Sequence, residues 1–330
     1  MAYSAGSTIL DDDYNIFVTG NAAGTGDHGV ANANSVWGTG TSDKGYGQSG
    51  TLSAVAASNT ITATQWSTLL SRISTIASHQ GSSITAITSP VAGNTISAYA
   101  ALSTNITTIY TNRGNAAASG TDITAGGSVS NTTSFYTQAQ VTTTVTFANA
   151  ASARYFFNAG GMIRMTPIRS GTANTKSTDW NTLATACGTV VFTGGTATQT
   201  IAGTAYTGTT KIGGSGTPNI LLTTTGFYDL TAGAAATTIF RQYSTNPTHY
   251  YSSNYISITA ALNSASTVLT LVMTFRDDDW DTTSYPNGTP TTEDLVQGTT
   301  GMTLVVRPPS TTYLTNTWGT PSISGSIAYT

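Results

Sequence analysis

Ala153-Arg154-Tyr155-Phe156-Phe157-Asn158-Ala159-Gly160-Gly161-Met162-Ile163-Arg164-Met165 is the densest aromatic run in a chain otherwise made of threonine, serine, alanine and glycine. Successive side chains of a strand point to opposite faces, so three adjacent aromatics predict a central strand covered on both sides. Asn158 to Gly161 supplies the backbone freedom for a hairpin or bulge, and Met162, Ile163 and Met165 resume the apolar pattern on a returning strand. Tyr155, Phe156, Phe157 and, further on, Trp180 are the candidate β-core residues. The run offers only Arg154, Asn158 and Arg164 as polar groups, too few to converge on a site.

Around this centre the β signal repeats. Val141-Thr142-Thr143-Thr144-Val145-Thr146-Phe147 alternates apolar and hydroxyl residues, the pattern of a half-buried strand. Segments 188–192, 220–222, 226–230, 238–242, 255–258, 268–275, 302–306 and 323–327 are further short apolar runs between turn-rich stretches. Residues 178–183 read as a capped helical turn that lays Trp180 and Leu183 on the sheet. Many short strands with few helices between them predict a mainly β fold, an antiparallel β-sandwich or jelly-roll-like arrangement.

The longer helices are predicted in the first third. Thr62-Ala63-Thr64-Gln65 has the form of a capping box, Trp66, Leu69, Leu70, Ile73, Ile76 and Ala77 share one stripe, and Gly81 closes the helix. A second helix is expected over 95–113, with Ile96, Tyr99, Leu102, Ile106, Ile109 and Tyr110 on its apolar side. The two would form an α-helical hairpin. Before them, residues 1–60 are rich in glycine and read as an extended arm or anchor. Residues 115–134 are small and polar and read as a connector, so the expected division is 1–60, 61–134 and a β-rich 135–330 with room for two subdomains dividing near 195–220.

Composition narrows the function. Of the 330 residues only 8% are charged, against roughly 25% in ordinary soluble proteins, yet 16 Tyr, 9 Phe and 5 Trp argue against disorder. A net charge of −3 with 11 thinly spread basic residues gives no patch for a row of phosphates, so nucleic acid is not an expected partner. No run approaches the roughly 20 apolar residues that span a bilayer, and the N-terminus lacks the basic and apolar regions of a secretory signal, so no membrane insertion is expected. The single cysteine, Cys187, allows no intrachain disulfide and suits a reducing cytoplasm.

Sites with chemistry are sparse. Gly24-Thr25-Gly26-Asp27-His28-Gly29 fits the dinucleotide fingerprint but opens no helix, so it reads as a loop. Asp277-Asp278-Asp279-Trp280-Asp281 has the alternate-aspartate spacing of a calcium loop without its glycine and glutamate, and a strand-end loop paired to Arg276 is the preferred reading; Asp11-Asp12-Asp13 is read as a solvated or helix-N-terminal run. His79 reads as a helix C-terminal cap. His28, His79 and His249 are isolated from one another and from Cys187, and Glu293 is the only glutamate. No cofactor, metal or catalytic set is expected. Tyr46, Gln48, Trp66 and Tyr99 are the candidate subunit-contact residues, since aromatics dominate interface energetics. Tyr243, Tyr250, Tyr251, Tyr255 and Tyr285 are candidates for stacking on a host glycan.

Two groups of segments together resemble virion structural proteins of tailed phages, especially T4-like phages of marine cyanobacteria. One is Tyr14-Asn15, Gly45-Tyr46-Gly47-Gln48, Ile61 to Leu69 and His79-Gln80-Gly81; the other is Ala153 to Gly161 with Ile163-Arg164, Lys176, Trp180 and Leu183. The resemblance covers roughly residues 10–195. It implies a non-enzymatic, multi-copy particle component, made in the host cytoplasm and placed in a neck, tail or fibre attachment, whose partners are its own copies and other virion proteins. A receptor-binding fibre module that takes a host surface glycan is the alternative it leaves open.

Overall fold

A computed structural model describes residues 10–91, 98–171, 174–245, 252–278 and 295–330. In chain order come α1 (Asp11–Thr19), α2 (Ala33–Trp37), α3 (Ala63–Gln80) and α4 (Tyr99–Thr111), then β1 (Ser128–Asn131), β2 (Gln138–Thr146), α5 (Ala150–Asn158), β3 (Met162–Ser170) and α6 (Thr175–Cys187). They are followed by β4 (Thr189–Phe192), β5 (Gln199–Ile201), β6 (Thr204–Tyr206), β7 (Thr209–Ile212) and β8 (Ile220–Leu221). The last are β9 (Thr237–Tyr243), β10 (Tyr255–Leu262), β11 (Val268–Arg276), β12 (Thr299–Arg307) and β13 (Ser322–Tyr329). The fold is mainly β. One sheet has the order β1-β12-β3-β4-β7 and the other β13-β2-β11-β10-β9-β8, with β5-β6 a separate hairpin. Every strand pairing within the two large sheets is antiparallel.

Period-two alternation builds the sandwich. On β2, Ala139, Val141 and Val145 are buried while Thr142 and Thr144 face outward, and Val141 lies opposite Met273 of β11 and Ile327 of β13. Leu269, Leu271, Met273 and Phe275 of the larger sheet and Ile163, Met165, Met302, Leu304 and Val306 of the smaller belong to one hydrophobic cluster. Interdigitated inner faces are what hold two sheets together.

α6 touches β3 of one sheet and β9 and β10 of the other. It is longer than the helical turn expected over 178–183. Asn174 caps it by accepting from the Ser177 N–H at 2.8 Å, and Lys176, Ser177, Asp179, Trp180, Leu183, Ala184, Ala186 and Cys187 are all buried. The Trp180 ring meets Phe135 at 5.9 Å and Phe275 at 6.0 Å.

The aromatic run departs from expectation. Ala150–Asn158 is a helix, because Asn149 accepts from the Ser152 N–H at 2.8 Å and Ala150 and Ala151 favour the first turn. Helical spacing gathers Ala153, Phe156 and Phe157 on one buried stripe and leaves Tyr155 half-buried. Phe156 packs edge-on to Phe157 at 5.0 Å, and Phe157 stacks on Phe227 at 4.5 Å. Gly160, at φ 90°, then breaks the helix, and Met162, Ile163 and Met165 enter β3, which pairs with β12 and β4. Residues 226–230 are not a strand either: Asp229 accepts from the Gly226 N–H at 2.8 Å and folds Phe227–Asp229 into a short 3-10 turn.

Nor are the described residues of 1–60 an extended arm. Asp11, Asp12 and Asp13 occupy the first turn of α1, where carboxylates complement the helix dipole, and Gly20 at φ 95° ends it. Tyr14, Phe17, Val18 and Val36 are buried in the same cluster as the sheets. α3 carries both arms of the capping box, with Thr62 Oγ1 accepting from Gln65 N–H at 3.2 Å and Gln65 Oε1 accepting from Thr62 N–H at 2.8 Å. It packs against α4; the start expected near residue 95 lies outside the described residues. The stretch read as a connector, 115–134, supplies β1, paired with β12.

Candidate interaction surface

Three of the four residues proposed for subunit contacts are inside the protomer. Tyr46 is 0% exposed; its hydroxyl donates to the Arg113 carbonyl at 2.8 Å and accepts from Gln80 Nε2 at 2.9 Å. Burial pushes that phenol well above its usual range. Gln48 is buried and exchanges hydrogen bonds with the Thr315 backbone, at 3.0 Å to the carbonyl and 2.8 Å from the N–H. Trp66 is buried edge-on to Tyr14 at 5.6 Å. Tyr99 is half-buried on Phe17 at 5.0 Å. Tyr46, Gln48 and Trp66 therefore offer no surface to a neighbour, which corrects the expectation. Their burial depends on segments far apart in sequence, so residue type alone could not reveal it.

His79 is corrected in the same way. It is 2% exposed, its Nε2 lies 3.2 Å from the Ala159 carbonyl, and its ring stands edge-on to Tyr46 at 5.1 Å. Burial lowers its pKa to about 4, opposed only weakly by the Ala159 hydrogen bond. It joins α3 to the end of α5 instead of capping its own helix.

The acidic cluster is also divided. Asp277 is buried against Lys176 at 2.6 Å, and Asp278 meets Arg276 at 2.5 Å. Asp279 and Asp281 lie outside the described residues. Among the described residues no group of three metal-ligating side chains is found. Cys187 is buried, and burial raises its thiol to about 12.

A polar cleft of about 180 Å³ opens beside α4, lined by Asp43, Arg113, Asn115, Gln199 and Asp229 among others. It is smaller than the ~300 Å³ at which typical ligand pockets begin. Burial raises the Asp43 pKa, but hydrogen bonds and charge from Arg113 and Lys44 outweigh it and hold the carboxyl below its ordinary value. A general acid needs the opposite shift.

The outer face of the six-stranded sheet carries rows of hydroxyl side chains. Across the strands, Ser326, Thr142, Val272, Thr259 and Thr238 form one row, and Ser324, Thr144, Thr270 and Ala261 the next. Thr144 and Ser324 share a hydroxyl hydrogen bond at 2.7 Å. The cations on this face are already engaged: Arg241 lies 4.7 Å from the Tyr255 ring centroid, and Arg276 pairs with Asp278. Tyr243 meets Tyr255 at 5.2 Å at one end of the face; Tyr250, Tyr251 and Tyr285 lie outside the described residues. The outward threonines of β2 were visible in the sequence as alternation, but their alignment into rows with those of β11 required the strand order.

Comparison with protein-family models, with curated proteins and with solved structures finds no match for this chain.

Proposed function

We propose that the protein is a structural subunit of a tailed-phage virion, acting through contacts with its own copies and other virion proteins in a neck, tail or fibre attachment. The observation that supports this reading is the nearly uncharged, hydroxyl-rich outer face of the six-stranded sheet. Such a face meets a neighbour without the desolvation of unpaired charge that makes ordinary surfaces costly to bury. The resemblance of residues 10–195 to virion proteins supplies the setting. The test is to detect this chain by mass spectrometry in purified particles and to locate it by labelled electron microscopy. Absence from particles, together with a monomer at every concentration examined by sedimentation, would refute it.

A receptor-binding role is the second reading, favoured by the Tyr243, Tyr255 and Arg241 cluster at one end of that face, which offers rings for stacking on a sugar. Labelled protein should then bind host cells and lose binding on Tyr243→Ala with Tyr255→Ala; unchanged binding by that variant excludes this site.

A further inference from the structure

β13 is an edge strand with one bonded neighbour, β2. Gln138 and Thr330 exchange both backbone hydrogen bonds, at 3.1 and 3.0 Å. Because bonded pairs alternate in an antiparallel ladder, Ala328, Ser326 and Ser324 also face β2, and the N–H and C=O groups of Ile323, Gly325, Ile327 and Tyr329 point away from it. Among the described residues no hydrogen bond reaches those outward groups. The Ile323 carbonyl is covered by Gly126, where even an added Cβ would lie 2.3 Å away. β1 packs beside β13, with Val129 against Gly325, but among the described residues the outward backbone groups of Gly325, Ile327 and Tyr329 have no hydrogen-bond partner.

Natural sheets blunt such edges with charge, proline or a bulge. β13, Ser322-Ile323-Ser324-Gly325-Ser326-Ile327-Ala328-Tyr329, has no charge and no proline, and its register with β2 runs without a shift. We infer that β13 pairs antiparallel with β13 of a second copy about a two-fold axis at Ile327, joining two six-stranded sheets into one.

The strand is complementary to itself in this register. Ile327 faces Ile327 of the second copy, and Gly325 faces Tyr329 in both directions. All of these are residues whose backbone groups point outward, so three bonded pairs exchange about six hydrogen bonds. The Val129 methyl fills the space beside Gly325 and the Tyr329 ring packs on Phe135 at 6.4 Å, so this pairing is made by the backbone alone. The half-buried Ile327 side chains, already packed against the core, meet beneath the joint. A contact of this kind uses the same patch twice and closes as a dimer, and with no charge on β13 nothing in the strand repels its own copy. Ser326 lies opposite Ala328 of the second copy, both exposed on the outer face. The inference rests on the assembly reading above and names one of its contacts.

The test uses the full chain. Amide exchange is followed against concentration, and self-association is measured by sedimentation for the wild type, for Ser326→Lys with Ala328→Lys, and for Ser326→Lys with Ala328→Glu. The outward amides of Gly325, Ile327 and Tyr329 should become protected as concentration rises. The double lysine variant sets like charges directly opposite twice and should weaken association by about tenfold or more; the lysine–glutamate variant should restore it. Restoration depends on Ser326 facing Ala328, so it also checks the register. If a variant does not fold, the wild-type amides still decide. Association that ignores both variants and leaves those amides unprotected overturns the inference while leaving the assembly reading intact. A wild-type chain that stays monomeric overturns the self-pairing, and the assembly reading falls with it only if the chain is also absent from particles. Protection that appears only when another virion protein is added assigns the edge to a different strand and overturns the self-pairing.

Discussion

Acidification should unlock the joint between α3 and α5 through His79. The unfolded imidazole has its ordinary value of 6.5, whereas burial lowers the folded one to about 4. The unfolded chain therefore binds the extra proton between these values, so stability is complete above pH 6.5 and falls as pH drops through the window toward 4. At pH 4.5 the two values give a loss of about 2.5 kcal/mol relative to pH 8. Unfolding entropy of about 2.1 cal/mol/K per residue, over 330 residues, converts this to a fall in Tm of about 4 °C. The carboxyls of Asp43 and Asp122 are held below 3.8 by their arginine partners, so their contributions are lost mainly below pH 4, under the window of His79. Calorimetry over the range 4.5–8, repeated on His79→Phe, is the assay. The variant should be less stable at pH 8, having lost the Ala159 contact, but flat with pH. A wild type that is flat, or a variant with the same slope, refutes the reasoning.

Lys176→Met should cost about 3–5 kcal/mol in urea unfolding, because it leaves the Asp277 carboxylate buried without its cation, and adding Asp277→Leu should return part of that loss. Phe157→Ala should cost about 3–5 kcal/mol, while Tyr155→Ala, half-buried on the helix flank, should cost well under half as much; equal losses would support the strand reading of this segment over the helix.

The parts of the fold legible in sequence are those fixed by neighbours in the chain. Thr62 and Gln65 lie three residues apart and cap α3 whatever else happens, and the alternation of β2 names both its inner and outer faces. The aromatic run misled because Tyr155, Phe156 and Phe157 favour strands by residue type, while the deciding signal, Asn149 as a cap before two alanines, lay just outside the segment. Gly20 and the three aspartates of α1 were equally local clues, outweighed by the glycine-rich sequence that follows. The surface was harder to read. Tyr46 and Gln48 meet partners at Arg113 and Thr315, and nothing within a turn or two of either residue records those distances along the chain.

Strand order also fixes when the molecule can close. β2 is held between β11 and β13, the second of which begins at Ser322, and in the smaller sheet β12 lies between β1 and β3. At about 5–20 residues per second of synthesis, β2 waits roughly ten to forty seconds for its last neighbour to be made. Neither sheet can be completed until β12 and β13 have left the exit tunnel. Slowing translation therefore prolongs the interval in which the threonine-rich strands are unshielded, and a shortened message that ends before codon 299 leaves the larger sheet without β13 and the smaller without the β12 that joins β1 to β3, each exposed to every other nascent copy.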